Sequence, residues 1–366
     1  MHRTALTVAA LALLASATTL IAADPAAPPA PREVDGKRVL VEADLASLTW
    51  RSVGPANMGG RVAALSICES NPKLWYVGYA TGGLWKTTNR GVTYSPVFDK
   101  EATSSIGAVA VVDAPQSWPG WAESDAAAQA GGDTPADRAK DGIGRIVWVG
   151  TGEGNGRNSS SWGNGVYRST DAGATFTHLG LAEVHDIPAL AVDPRDPDTC
   201  YIAGLGHLWG ANPERGIFKT SDGGSTWSKV LFIDDATGAC DVAINPSNPD
   251  EVFAAMYARR RTGWSFQSGG PEGGIYRSRD AGQTWTKLAG GLPPQTGRIG
   301  LSICRKDPRT IYATVESDSG GKIADEWNDR SRQGGVYKST DGGDTWTHMS
   351  DFNPRAFYFS RILADP

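Results

Sequence analysis

The chain has 366 residues, with 35 basic and 40 acidic side chains and a formal charge of −5. That mild acidity argues against a nucleic-acid surface, which carries a basic excess. Glycine reaches 45 residues, the 13 tryptophans outnumber both tyrosine and phenylalanine, and there are four cysteines, which excludes a disulfide-dense miniprotein and points to an all-β protein with frequent turns.

Met1-His2-Arg3-Thr4 is short and basic, and Ala5 to Ala23 follows without a charge. Small residues ending at Ala17 or Ala23 offer cleavage points, so residues 1–23 have the three-part pattern of a secretory signal peptide. The alternative is an uncleaved anchor, because the run approaches the roughly 17–25 residues that span a bilayer. A secreted or periplasmic protein is expected, with no span in the mature chain. Residues 24–49 form an Ala/Pro-rich linker and lead-in, expected to be extended.

From residue 50 onward a repeat organises the chain. STDAGATF at 169–176 recurs as TSDGGSTW at 220–227, SRDAGQTW at 278–285 and STDGGDTW at 339–346, with a weaker copy, TTNRGVTY, at 87–94. A second marker, Asn-Pro or Asp-Pro, follows an alternating apolar run at 71, 193, 245, 307 and 365. Each unit reads as four antiparallel strands, the signature of a β-propeller blade. Five blades are predicted, at about 60–98, 104–180, 187–233, 239–292 and 298–350. Residues 113–144 interrupt blade 2 and read as a flexible Ala/Gly/Asp-rich insertion. SRILADP at 360–366 reads as the first strand of another blade. An unfinished blade leaves an open edge, so the propeller is expected to be part of a larger one.

The recurring string is Ser/Thr-x-Asp-x-Gly-x-Thr-aromatic, placed between the third and fourth strands. Asp171, Asp222, Asp280 and Asp341 are expected to accept backbone N–H bonds within the turn, and Asn89 keeps the acceptor in blade 1. Gly173, Gly224, Gly282 and Gly343 supply positive φ. Each turn offers too few carboxylates for a hard cation, which takes about six to eight oxygens. These strings resemble the Asp-box, or BNR, repeat of sialidases, xyloglucanase-type glycoside hydrolases, sortilin-type receptors and photosystem assembly factors. The resemblance implies a propeller over residues 50–366, and it leaves function divided between enzymes and binding modules.

Strand geometry puts the Asp turns on one face and the loops between second and third strands on the other. Ligand-binding candidates on that second face are Arg157 and Trp162 in blade 2, His207 and Trp209 in blade 3, Arg260 and Trp264 in blade 4, and Trp327 in blade 5. Arg61, Arg298 and Arg361 occupy what reads as one equivalent slot at the start of the innermost strand, where converging guanidinium groups would hold an anion.

Candidate catalytic carboxylates are Glu153, Asp186, Glu316 and Asp318. The xyloglucanase resemblance implies a catalytic Asp just before the Gly-Gly of the first blade, but this chain has Ala80-Thr81-Gly82 there. The sialidase resemblance implies an Arg triad with a Tyr nucleophile, and that arrangement is not found. Five histidines at 2, 178, 185, 207 and 348 show no metal-ligand spacing, so neither metal nor cofactor is expected. Cys68 and Cys304 share a strand slot, and Cys200 and Cys240 are candidates for a bridge in an oxidising compartment.

The expected function is binding of a peptide, protein or glycan on the face opposite the Asp boxes. The alternatives are a xyloglucanase- or sialidase-like hydrolase acting in the same groove, and an envelope assembly factor.

Overall fold

A computed structural model describes the backbone of residues 32–34 and 37–39, and residues 60–115, 117–120, 144–317 and 333–365. The chain divides into residues 1–56 and 57–366. In the first unit, Arg32–Val34 pairs antiparallel with Lys37–Val39. The proposed signal peptide, Asp318, Trp327 and residues 121–143 of the insertion lie outside the described residues.

The second unit is built of five antiparallel four-stranded blades, each in sequential order. Their first strands are Val62–Ile67, Ile106–Ala114, Ala189–Asp193, Thr237–Ile244 and Thr296–Ile303. The second strands are Trp75–Tyr79, Gly144–Thr151, Asp196–Gly204, Val252–Arg261 and Ile311–Ser317. In blade 4 the second strand continues into a short pairing with Phe266–Ser268. First strands of consecutive blades pack on one another, which sets them at the inner end of each blade. This is the β-propeller architecture that the repeat predicts.

The apolar alternation explains why the blades stack. Four hydrophobic clusters lie between successive blades, three drawing residues from two blades and the fourth adding Leu205 of blade 3 to residues of blades 4 and 5. Phe98 of blade 1 meets Tyr167 of blade 2 edge-on at 5.0 Å. Between blades 2 and 3, Trp148 is fully buried and its indole N–H donates to Pro197 O at 3.1 Å. Each such fully buried large side chain contributes about 1.5–3 kcal/mol.

The first strands of blades 1, 2, 4 and 5 shift register near their starts, between Val62 and Ala64, Ile106 and Ala108, Ala239 and Asp241, and Thr296 and Ile299. A bulge bends the strand and re-aims its side chains. The three arginines expected in one slot are therefore not equivalent. Arg61 precedes its strand and Arg298 lies inside a bulge, while Arg361 follows the short helix Ala356–Phe359. Residues 360–365 form no strand, although Ala364 N donates to Ser302 Oγ at 2.9 Å, as Val111 N does to Ser66 Oγ at 3.0 Å.

All four cysteines are free thiols, so the bridge considered for Cys200 and Cys240 is absent. Cys240 instead donates to backbone carbonyls of Ala255 and Ile299.

Candidate functional site

The Asp turns are built as hydrogen-bonded units. In blade 3, Thr220 Oγ1 donates to Asp222 Oδ1 at 2.7 Å and accepts the Gly224 amide at 2.9 Å. Asp222 then accepts the Thr226 amide at 2.9 Å and its hydroxyl at 2.6 Å. The same pattern recurs at Asp171, Asp280 and Asp341. Gly224 has φ 95°, and the preceding residue is also left-handed in each box, including Ala172 at 54° and Ala281 at 55°.

That second left-handed residue has a task the sequence did not disclose. Its carbonyl receives a bond from the preceding blade. Ala172 O accepts Tyr76 Oη at 2.6 Å and Lys86 Nζ at 2.9 Å, and Ala281 O accepts Tyr201 Oη at 2.8 Å and Lys219 Nζ at 2.9 Å. Gly342 O accepts Arg277 Nη1 at 2.7 Å. The box is a staple between blades as well as a hairpin turn.

On the opposite face, a cleft of about 780 Å3 opens beside the first strand of blade 1. Arg61, Arg157, Arg261, Arg355 and Arg361 line it, with Phe357 and Tyr358. Arg61 and Arg361 both line this cleft, which they reach by different routes through the fold. Arg61 forms a two-pronged pair with buried Glu153, at 2.9 and 2.5 Å. Arg361 Nη2 donates to Pro188 O at 2.9 Å, and Arg261 Nη2 to Gly156 O at 3.1 Å. Arg298 is buried beneath, donating to Gly154 O at 3.2 Å and Asn155 Oδ1 at 2.9 Å. Burial and the nearby charge of Arg361 lower its pKa.

The candidate acids among the described residues, Glu153, Asp186 and Glu316, are all engaged. Asp186 is buried, and its Oδ2 accepts Arg259 Nη2 at 2.6 Å. Burial raises its pKa to about 6, with Arg259 opposing the rise. Glu316 accepts Ser268 Oγ and the Arg298 amide at 2.7 Å, and burial raises its pKa also. Where the xyloglucanase resemblance would place a carboxylate, the structure has buried Ala80, whose amide donates to Arg61 O.

The candidate aromatics divide. Trp162, Trp209 and Trp264 are exposed, Trp264 by 91%. Trp162 stacks on His185, which in turn stacks on His207. Arg260 is exposed on the second strand of blade 4, away from the cleft lining.

Sequence reasoning missed Arg215, Arg355 and Tyr358. Arg215 is fully buried and donates to the carbonyls of Ala236, His207, Gly210 and Arg259. Its signal is a departure from the repeat, since the other third strands are preceded by Gly or Asn at that position. Arg355 and Tyr358 belong to the turn and helix around Ala356–Phe359 and carry no repeat signal.

Comparison with known proteins agrees with this architecture. Residues 215–363 match the family described as Sortilin-Vps10, "Sortilin, neurotensin receptor 3". The chain is an Asp-box β-propeller. A xyloglucanase from Paenibacillus sp. is 26% identical to this chain over 324 residues, covering 82% of this chain and 27% of that protein. A probable oligoxyloglucan-reducing end-specific xyloglucanase from Neosartorya fischeri is 28% identical over 163 residues, or 43% of this chain and 18% of that one. The chain therefore spans between 18% and 27% of these relatives' length. Among solved structures, an ancestral GH74 enzyme superposes with a TM-score of 0.53 at 18% identity, covering 80% of this chain and 31% of the other. Among the described residues, no helix of the propeller is long and apolar enough to cross a membrane.

Proposed function

We propose that this propeller is an extracytoplasmic binding module whose cleft, opposite the Asp boxes, takes a carboxylate-bearing chain. The observation that carries the reading is the convergence of Arg61, Arg157, Arg261, Arg355 and Arg361 on one cleft. The neighbouring Glu153 is already paired with Arg61. Guanidinium groups bind carboxylates through paired N–H donors, and with the Arg61 charge compensated by Glu153 the other four set a positive local field. Phe357 and Tyr358 add apolar surface against which a ligand chain packs. The residues before the propeller, with their signal-peptide pattern, fit an extracytoplasmic setting.

The test is calorimetric titration with a poly-glutamate peptide, polygalacturonate and neutral xyloglucan. One of the acidic probes is expected to bind, and binding should weaken as ionic strength rises from 0.05 to 0.5 M, because screening shortens the reach of the charges. Arg157→Ala/Arg361→Ala should weaken it by about tenfold or more, since each lost charged bond is worth about 1.5–3 kcal/mol. Binding of xyloglucan alone, unaffected by that double variant, would reject the reading.

A second reading is glycoside hydrolysis, favoured by the xyloglucanase names of the relatives. Release of sugar from xyloglucan, abolished by Glu153→Gln, would establish it in place of the first.

A further inference from the structure

His185 and His207 lie 22 positions apart (207 − 185), a separation with no metal-binding signature, and the fold brings them ring on ring. His185 sits in the connection between blades 2 and 3. Its φ of 62° and ψ of −59° are unusual for a residue with a side chain. The Asp186 amide donates to Val184 O at 2.7 Å, closing a three-residue turn around His185. Turns of this positive-φ kind are rare and strained, and such strain concentrates at binding sites. The turn is held in place, because the Gly163 amide donates to His185 O at 2.7 Å.

The consequence of the strained turn is the placement of the imidazole. The ring of His185 lies 3.7 Å from that of His207, with 18° between the planes. Trp162 stacks against His185 at 5.8 Å. His207 comes from the loop between the second and third strands of blade 3, and its Nε2 lies 3.0 Å from Glu183 O. A carbonyl only accepts, so Nε2 carries the proton and the lone pair is on Nδ1. A ring N–H fixed on a backbone carbonyl is the usual support of a metal-bound imidazole. The carboxylate of Glu183, on the short turn Ala182–Val184, completes the group. One ligand atom each from Glu183, His185 and His207 lie within 4.8 Å of one another.

We propose that Glu183, His185 and His207 bind a single divalent ion of the zinc class, leaving a fourth position open to solvent. Two imidazoles and one carboxylate are a donor set zinc takes at about 2.0–2.2 Å, in the three-ligand form that keeps one position for water or a ligand. Ligand atoms of a tetrahedral site at those bond lengths are about 3.4 Å apart. The two rings now lie face to face, so an ion in the plane of both requires one imidazole to turn out of the stack, while the exposed Glu183 side chain swings to meet it. Calcium and magnesium are disfavoured by the nitrogen donors, since both prefer oxygen. The ion would tie the connection between blades 2 and 3 to a loop of blade 3.

The experiment is titration of the EDTA-treated full chain with ZnCl2 alone, followed by calorimetry. One site per chain is expected, with micromolar or tighter affinity. Glu183→Gln and His207→Gln should each weaken it by about tenfold or more, while His178→Gln leaves it unchanged. Co2+ should give the visible absorption of a four-coordinate site in the parent chain and not in His207→Gln. Melting of each variant without metal checks that it is folded. No saturation at millimolar ZnCl2, or unchanged binding in either Glu183→Gln or His207→Gln, overturns the assignment.

Discussion

At the scale of residues, the Asp boxes are anionic turns stabilised by donors of fixed position. The Thr226 hydroxyl and amide, with Thr220, hold the Asp222 carboxyl at about 2, and Thr284 does the same for Asp280. Burial pushes the Asp171 carboxyl up, but bonds from Ser169 and Thr175 outweigh it and leave it lowered. A carboxyl lowered in the folded state favours folding above its unfolded pKa near 3.8, and that contribution disappears as pH falls. The urea midpoint is therefore expected to drop between about pH 4 and pH 2. Blade 1 shows how to isolate the effect. Asn89 Oδ1 accepts the Thr93 amide at 2.9 Å while its Nδ2 donates to Thr93 Oγ1 at 2.8 Å. Asp222→Asn/Asp280→Asn should thus fold and show a shallower acid loss; an unchanged curve would assign the loss to other carboxylates. The acceptor and the glycine of each box were legible from sequence because only a few residue types suit those positions. The left-handed Ala172 and Ala281 were not, since alanine carries no signal for positive φ.

At the scale of elements, the unit is the blade together with the staple it extends to its neighbour. The basic residue recurring in the third strand, as in GVYRST and GIFKTS, is explained by the carbonyls it reaches in the next Asp box. Arg277 bonds Gly342 O and, at 2.6 Å, Asp344 Oδ1. Arg277→Met keeps the packing stem and removes both bonds. It is expected to cost about 1.5–3 kcal/mol, read as a lower urea midpoint. A loss below about 0.5 kcal/mol, the size of an ordinary surface change, would refute the staple. Strands and turns were readable because both follow local alternation and turn chemistry. The bulges were not, and that is why Arg61, Arg298 and Arg361 seemed equivalent. A bulge adds one residue to one strand without leaving a mark in the apolar pattern.

At the scale of the molecule, the inter-blade cores and the polar network near the first strands are joint properties of several blades. Arg259 of blade 4 reaches Asp186 ahead of blade 3 and Gly154 O of blade 2. Removing one partner of a buried ion pair leaves the other charge uncompensated. Arg259→Met is expected to destabilise the protein by about 3–5 kcal/mol, and Asp186→Asn in the same chain to recover part of that loss. Calorimetric melting of the single and double variants checks both, and additive losses would show the two residues to be uncoupled.

The sequence by itself determined the blades, their order and the faces to which turns and loops belong, because each is a short-range consequence of alternation, glycine and acceptor placement. It did not determine which arginines share a cleft, that the candidate acids Glu153, Asp186 and Glu316 are engaged, or that His185 meets His207. Those facts depend on bulges, on one strained turn and on contacts between residues more than 20 positions apart, and only the packed blades bring them together.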